Sequence, residues 1–75
     1  MRDKNGSSRG RKSIPHLFAD MTAALEDLHG IAVEGQAADL SADMRRALLS
    51  DIVTGIRRLG NIAERISGAL EARQV

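Results

Sequence analysis

The residues of this chain that could do chemistry are two histidines, His16 and His29, and three acidic residues between them, Asp20, Glu26 and Asp27. The histidines lie at opposite ends of one predicted helix, so they cannot bind one metal ion within a single chain. No feature of the sequence distinguishes an acid from a base among the three carboxylates. The chain has no Cys, and its glycines match no phosphate-binding loop. We therefore expect no enzyme, no metal site and no cofactor.

The arginines of the second half form a clearer pattern. Arg57, Arg58 and Arg65 cluster with Asn61 on one predicted helix face, and none of these arginines has a carboxylate four residues later. A guanidinium group suits bidentate contacts with carboxylate or phosphate. This face is either a solvated surface or a contact for a partner. Arg45 instead projects into the apolar stripe, where it either extends towards water or meets an acidic group of a neighbouring chain.

Composition limits the fold of these 75 residues to a single small domain. Hydrophobic residues make up 43% of the chain, but there is one Phe and neither Tyr nor Trp. A core of Leu, Ile, Val, Met and Ala is typical of helices packing on helices. No apolar run approaches the roughly 20 residues of a membrane span, and no signal-peptide core follows the basic start. We expect a cytoplasmic protein.

Charge divides the chain into a tail and a body. Residues 1–12 contain five Lys or Arg and one Asp, whereas residues 13–75 contain six Arg and nine Asp or Glu. The tail has almost nothing apolar to bury, so we expect residues 1–12 to be disordered and residues 13–75 to form a helical hairpin domain. The basic tail also supports an alternative function, a small accessory protein that binds nucleic acid.

The first predicted helix covers residues 15–29. Ser13 is a good N-cap and Pro15 is tolerated in the first turn. An amphipathic stripe follows, and Gly30 fits the left-handed position beyond a helix end. Residues 30–40 then form a connector, in which a short apolar segment, Ile31–Val33, would close the corner of the hairpin.

The second predicted helix begins after Ser41 and continues to about Arg73, with Asp43 in its first turn. Its apolar residues recur at steps of three and four, as in a heptad repeat. Gly55 and Gly60 leave its continuity open, since glycine weakens or kinks a helix. The predicted seam has its a positions at Leu49, Ile56, Ala63 and Leu70 and its d positions at Ile52, Leu59 and Ile66.

The two predicted helices differ in length, at about 22 and 48 Å. A hairpin would therefore leave about half of the longer seam uncovered, and a second chain should cover it. The predicted fold class is all-α, a hairpin of a short and a long helix completed by a dimer or a partner helix.

Part of the second helix resembles a helix of the small quorum-sensing antiactivators of bacterial conjugative elements. The resemblance lies in Asp51, Arg57-Arg58-Leu59, Ala63-Glu64, Ile66 and Ala69-Leu70, with a similar Ala38-Asp39-Leu40 run before the helix. It implies an all-helical protein that regulates transcription by binding a LuxR-type activator and blocking its binding to DNA. The candidate contacts that it implies are Arg57, Arg58, Leu59, Glu64 and Ile66.

We therefore expect a non-enzymatic helical protein-interaction module in a homodimer or hetero-complex. We expect it to bind neither nucleic acid nor a membrane. The alternatives are the nucleic-acid-binding accessory protein and a co-chaperone hairpin of the kind used in secretion. The predicted partner-binding residues are Arg45, Leu49, Ile52, Ile56, Arg57, Arg58, Leu59, Glu64, Ile66 and Leu70.

Overall fold

The computed structural model describes residues 12–74 of the chain. Two helices make up most of this part: α1, Ile14–Glu34, and α2, Ala42–Gln74. They pack against each other as a helical hairpin, which confirms the predicted all-α fold class. The tail predicted to be disordered, residues 1–12, lies outside the described residues except for Lys12.

The start of α1 is set by local chemistry, as the sequence predicts. The hydroxyl oxygen of Ser13 accepts a hydrogen bond from the backbone N–H of His16 at 3.3 Å, and Ser13 itself has extended backbone angles. Pro15 occupies the first turn of α1. The N–H groups of a first turn have no acceptor within the helix, so the N–H that proline lacks breaks no helical hydrogen bond. The N-cap prediction for Ser13 is confirmed.

The predicted end of α1 at residue 29 is wrong. The helix passes through Gly30 and ends at Glu34, where Gly35 continues with right-handed angles (φ −67°, ψ −11°) and donates its N–H to the carbonyl of Ile31 at 3.1 Å. Ile31 is half-buried and extends the packed side of α1 by one turn. The burial of Ile31 offsets the roughly 1 kcal/mol by which Gly30 destabilises the helix relative to Ala.

The longer helix, α2, is continuous through Gly55 and Gly60. At its start, the hydroxyl oxygen of Ser41 accepts a hydrogen bond from the N–H of Met44 at 3.1 Å. Asp43 lies in the first turn, where a carboxylate interacts favourably with the positive end of the helix dipole. The connector is therefore residues 35–41, shorter than the predicted 30–40.

A small core holds the hairpin together. Leu17 and Ala24 of α1 and Ile62 and Ile66 of α2 are its buried members. Further along, Leu28 lies against Gly55, so closely that a Cβ atom at Gly55 would be 2.6 Å from Leu28 Cδ2. The residues of α2 that face α1, which we term the packing stripe, are Leu48, Ile52, Gly55, Leu59, Ile62, Ile66 and Ala69.

This packing corrects the predicted seam. Its d positions are right, since Ile52, Leu59 and Ile66 belong to the packing stripe. Its a positions are wrong by one residue, because positions 48, 55, 62 and 69 face α1 in their place. Both sets of positions, 49, 56, 63 and 70 and 48, 55, 62 and 69, recur every seven residues, so helical periodicity does not distinguish them. Gly55 decides between them because it is the position without a side chain, and Leu28 fills the space that this leaves.

The predicted uncovered half of α2 is also wrong. With 21 residues, α1 is about 31 Å long instead of the expected 22 Å. It lies along most of α2, from Leu48, which is next to Gly35, to Ala69, which packs on the core that contains Leu17. Where the two helices run side by side, the apolar surface that remains exposed therefore lies beside the packing stripe.

Candidate protein interaction surface

A row of exposed apolar side chains follows the packed residues of both helices. On α1, Phe18 comes directly after Leu17 and Leu25 directly after Ala24. Both Phe18 and Leu25 have 51% of their surface exposed, although each adjoins a buried residue. On α2 the same relation to the packing stripe holds for Leu49, Val53, Ile56, Ala63 and Leu70.

These two rows lie on one side of the hairpin. The direction of successive side chains turns by about 100° per residue in a right-handed helix. Because α1 and α2 are antiparallel, the residue that follows a packed residue points to the same side of the hairpin in both helices. The residues that precede packed positions turn towards the opposite side. Asp27, before Leu28, and Arg58, before Leu59, illustrate this, because their charged groups meet at 3.6 Å. The apolar face, as we call it, comprises Phe18, Leu25, Leu49, Val53, Ile56, Ala63 and Leu70.

The apolar members of the predicted partner-binding set divide between the apolar face and the packing stripe. Leu49, Ile56 and Leu70 are on the apolar face, with 59%, 56% and 46% of their surface exposed. Ile52, Leu59 and Ile66 instead belong to the packing stripe, and Ile66 is buried. In this hairpin, the contacts of Leu59 and Ile66 are therefore with α1, and a partner cannot reach Ile66 unless the helices separate.

Arg45 has a local structural role that sequence reasoning missed. Its guanidinium donates a hydrogen bond to the carbonyl of Ala37 at 2.7 Å and another to the carbonyl of Leu40 at 3.4 Å. Both carbonyls belong to the connector, so they are not bonded to backbone N–H groups in a regular helical pattern. Arg45 thus ties the connector to the first turn of α2. Its position in the apolar stripe predicted neither contact, because both depend on the path of the connector.

The remaining predicted polar contacts are exposed. Arg58 forms the ion pair with Asp27, which fixes it on the side opposite the apolar face. Among the described residues, Arg57 and Glu64 make no ion pair, and both are exposed. They border the apolar face on α2, one residue after Ile56 and Ala63 respectively. This position lets their charges act on whatever covers the face.

A second apolar feature lies at the connector, away from the apolar face. It is an open cavity of about 610 Å³. The sequence signal that could have found it is the group of apolar residues around the predicted corner, which we expected to fill that corner. Val33 and Met44 instead remain about half exposed. The residues that line the cavity are Val33, Glu34, Gln36, Ala37, Leu40, Met44, Ala47 and Leu48.

Two of the histidine and acidic residues first considered for chemistry, His16 and Asp20, form polar contacts at the exposed start of α1. His16 Nδ1 lies 3.0 Å from the Ser13 hydroxyl oxygen, next to the helix cap. The ammonium group of Lys12 donates a hydrogen bond to Asp20 at 2.7 Å and holds the pKa of that carboxyl below its ordinary value. Within residues 12–74, no three His, Asp or Glu residues are placed to hold a metal ion.

The comparisons with known proteins found no match. This holds for family models, for curated proteins and for solved structures. Neither helix of the described chain is long and apolar enough to cross a membrane. By its geometry, the described hairpin has one polar side, where Asp27 and Arg58 meet, and one apolar face bordered by charged residues.

Proposed function

We propose that this chain is a non-enzymatic protein-interaction module that packs its apolar face against a helical surface of another chain. One observation carries the proposal: the hairpin is a single layer of helices, and its Cα atoms extend only 14 Å in the thinnest direction. Small domains bury their apolar faces between two layers of secondary structure. A second layer placed on the apolar face would complete this arrangement.

The recognition would combine apolar anchors with bordering charges. Phe18, Leu25, Leu49 and Ile56 are large side chains on two rigid helices, and they would enter the grooves of a facing helix with little loss of backbone freedom. Arg57 borders the face and would orient the approaching partner through its charge.

The resemblance in α2 gives this proposal a more specific form. In that form the chain is an antiactivator that binds a LuxR-type transcriptional activator and blocks its binding to DNA. Arg57 and Glu64 border the apolar face and would be available for such a contact, whereas Arg58 lies on the opposite side in its ion pair with Asp27. A mobility-shift assay with a purified activator of this class and its DNA site tests it. Release of the DNA by the protein is expected, and an unchanged shift at saturating protein would contradict the antiactivator role.

The general proposal is tested with a double variant of the face, Leu49→Asp with Ile56→Asp. Both positions are more than half exposed, so the hairpin should keep its helicity by circular dichroism. Each carboxylate would have to lose water on binding, which costs several kcal/mol when no partner group compensates it. The affinity for an interacting protein isolated from the host should therefore fall by about a hundredfold or more, measured by titration calorimetry.

The matched control is Thr54→Asp with Asn61→Asp, which adds the same two charges to exposed positions that directly precede the packed residues Gly55 and Ile62 and so lie away from the apolar face. This variant should bind like the parent. If the control and the face variant lose binding equally, net charge is responsible and the apolar face is not the interaction surface.

A further inference from the structure

We infer that the second layer is another copy of this chain, packed on the apolar face with its α2 antiparallel to the first α2. This inference rests on the proposed function, because it names the surface that covers the same face. In this arrangement a two-fold axis passes beside Gly60, and two hairpins form a four-helix bundle. The charges along α2, the spacing of its apolar residues and the size of the face support it.

The charges that border the apolar face along α2 change sign near its middle. Arg46 and Arg57 lie in the first part, whereas Glu64 and Glu71 lie in the second part. When the second copy runs in the opposite direction with the axis beside Gly60, Arg57 faces Glu64 of that copy, and Glu71 of that copy lies within one helical turn of the level of Arg46. Two-fold symmetry forms each pair twice. A parallel arrangement of the two α2 helices would place like charges together.

The apolar residues match in the same register. With the axis beside Gly60, Leu49 lies opposite Leu70 of the second copy and Ile56 lies opposite Ala63. A large residue thus meets a small one next to the axis, where the helices are closest. A Cβ atom at Gly60 would have no atom within 4 Å in the hairpin, so this surface is open for a second backbone to approach.

The first helix is consistent with this axis. Leu28 lies level with Gly55, so Leu25, one turn earlier in α1, lies nearly level with Gly60. The Leu25 side chains of the two copies would therefore meet across the axis. The apolar face would then contribute residues from both helices of each copy, as four-helix bundles do.

The size of the face fits a stable dimer. Two helices side by side over the length of α1 give a footprint of roughly 600 Å² per copy, from about 31 Å of length and about 20 Å of width. Surface relief adds to that figure. Specific interfaces bury about 600–1,000 Å² per partner, so the footprint of the apolar face lies within the range of a dimer interface.

Sedimentation equilibrium and charge reversal test the inference on the full chain. The parent should have twice its monomer mass of 8.1 kDa at tens of micromolar. Arg57→Glu or Glu64→Arg alone places like charges together twice and should raise the dimer dissociation constant about tenfold at low salt. The double variant restores opposite charges with the order exchanged, so its dissociation constant should return to within about threefold of the parent value.

Arg65→Glu is the control, since Arg65 precedes the packed residue Ile66 and so lies away from the apolar face. It should leave the dissociation constant unchanged. A folded monomer at all concentrations would overturn the inference, and a dimer that the double variant fails to restore would overturn the antiparallel register. If that monomer still loses a bound host protein through Leu49→Asp with Ile56→Asp, the proposed function stands without the dimer. If it binds no protein through that face, both fail.

Discussion

Two apolar stripes run side by side along α2, and only one of them is covered by α1. The packing stripe contains Ile62 and Ile66, which are buried, whereas the apolar face contains Leu49 and Ile56, which are more than half exposed. Their residue types are nearly the same, so hydrophobicity does not separate them. The difference teaches that a helix in a single-layer hairpin can carry a second apolar stripe beside the one that packs within its own chain.

The largest expected effect separates the two stripes directly. Ile66→Ala leaves a cavity in the small core and should lower the free energy of unfolding by about 3 kcal/mol. Ile56→Ala removes a half-exposed side chain and should lower it by less than about 1 kcal/mol in dilute, monomeric protein. Urea denaturation followed by circular dichroism measures both values.

If the Ile66→Ala protein does not fold, Ile66→Val and Ile56→Val give the same contrast on a smaller scale, with a loss of about 1 kcal/mol expected at the buried position only. Equal losses at the two positions would mean that the covered and uncovered stripes of α2 have been assigned the wrong way round.

The next effect concerns the contact that sets the phase of α2. Gly55→Ala would place a methyl group 2.6 Å from Leu28 Cδ2 and 3.0 Å from Leu28 Cγ. We expect a loss of about 1–2 kcal/mol, because relieving this overlap outweighs the better helix propensity of Ala. Gly30→Ala is the control: a Cβ atom there has nothing within 4 Å, so we expect a gain of about 1 kcal/mol.

Thermal and urea unfolding measure both glycine variants. Combining Gly55→Ala with Leu28→Ala should cost less than the sum of the two single changes, because the overlapping atoms are gone. Strict additivity would show that Leu28 does not pack over Gly55.

A smaller effect is expected where α2 meets the connector, beside the apolar stripes. Arg45→Met removes the donors to the carbonyls of Ala37 and Leu40 and should cost about 1 kcal/mol. Faster proteolysis within residues 35–41 would accompany it. Arg46→Met provides the comparison in dilute, monomeric protein, since there it breaks only an exposed ion pair with Asp43 and should cost a few tenths of a kcal/mol. Equal behaviour of the two variants would mean that Arg45 does not hold the connector in place.

The smallest effect lies on the polar side of the hairpin. The Lys12 ammonium lowers the pKa of Asp20, so the stability that this contact contributes is present above the ordinary carboxyl pKa and is lost as the pH falls through the lowered value. The melting temperature of Asp20→Asn should be below that of the parent at pH 7, by about a degree or less, because the pair is exposed. The difference should shrink as the pH falls through the lowered pKa and disappear once Asp20 is protonated. A difference that persists in acid would require another cause.

The features that the sequence predicts correctly depend on short-range contacts. Ser13 and Ser41 act on N–H groups three residues later, so their roles as helix starts can be predicted from spacing alone. The apolar residues at steps of three and four likewise predict two amphipathic helices. The expectation that another chain covers the exposed apolar surface also comes from the sequence pattern, and it stays a prediction.

The candidate site is predictable from the sequence only in part. Leu49, Ile56 and Leu70 are predicted on an interaction surface and are exposed, but Ile66 is predicted there too and is buried. The heptad rule predicts that apolar residues share one side of a helix. It does not predict which edge of a wide apolar side faces the next helix, because the edges differ by one residue of rotation.

By itself, the sequence determined the all-α class, the two helix starts and the amphipathic character of both helices, since all of these follow from contacts within a few turns. Only the tertiary structure decided where α1 ends, which stripe of α2 is covered and what Arg45 binds. Each of these depends on residues far apart in the chain. Leu28 fills the space at Gly55, and this contact selects the packing stripe and leaves Ile56 exposed.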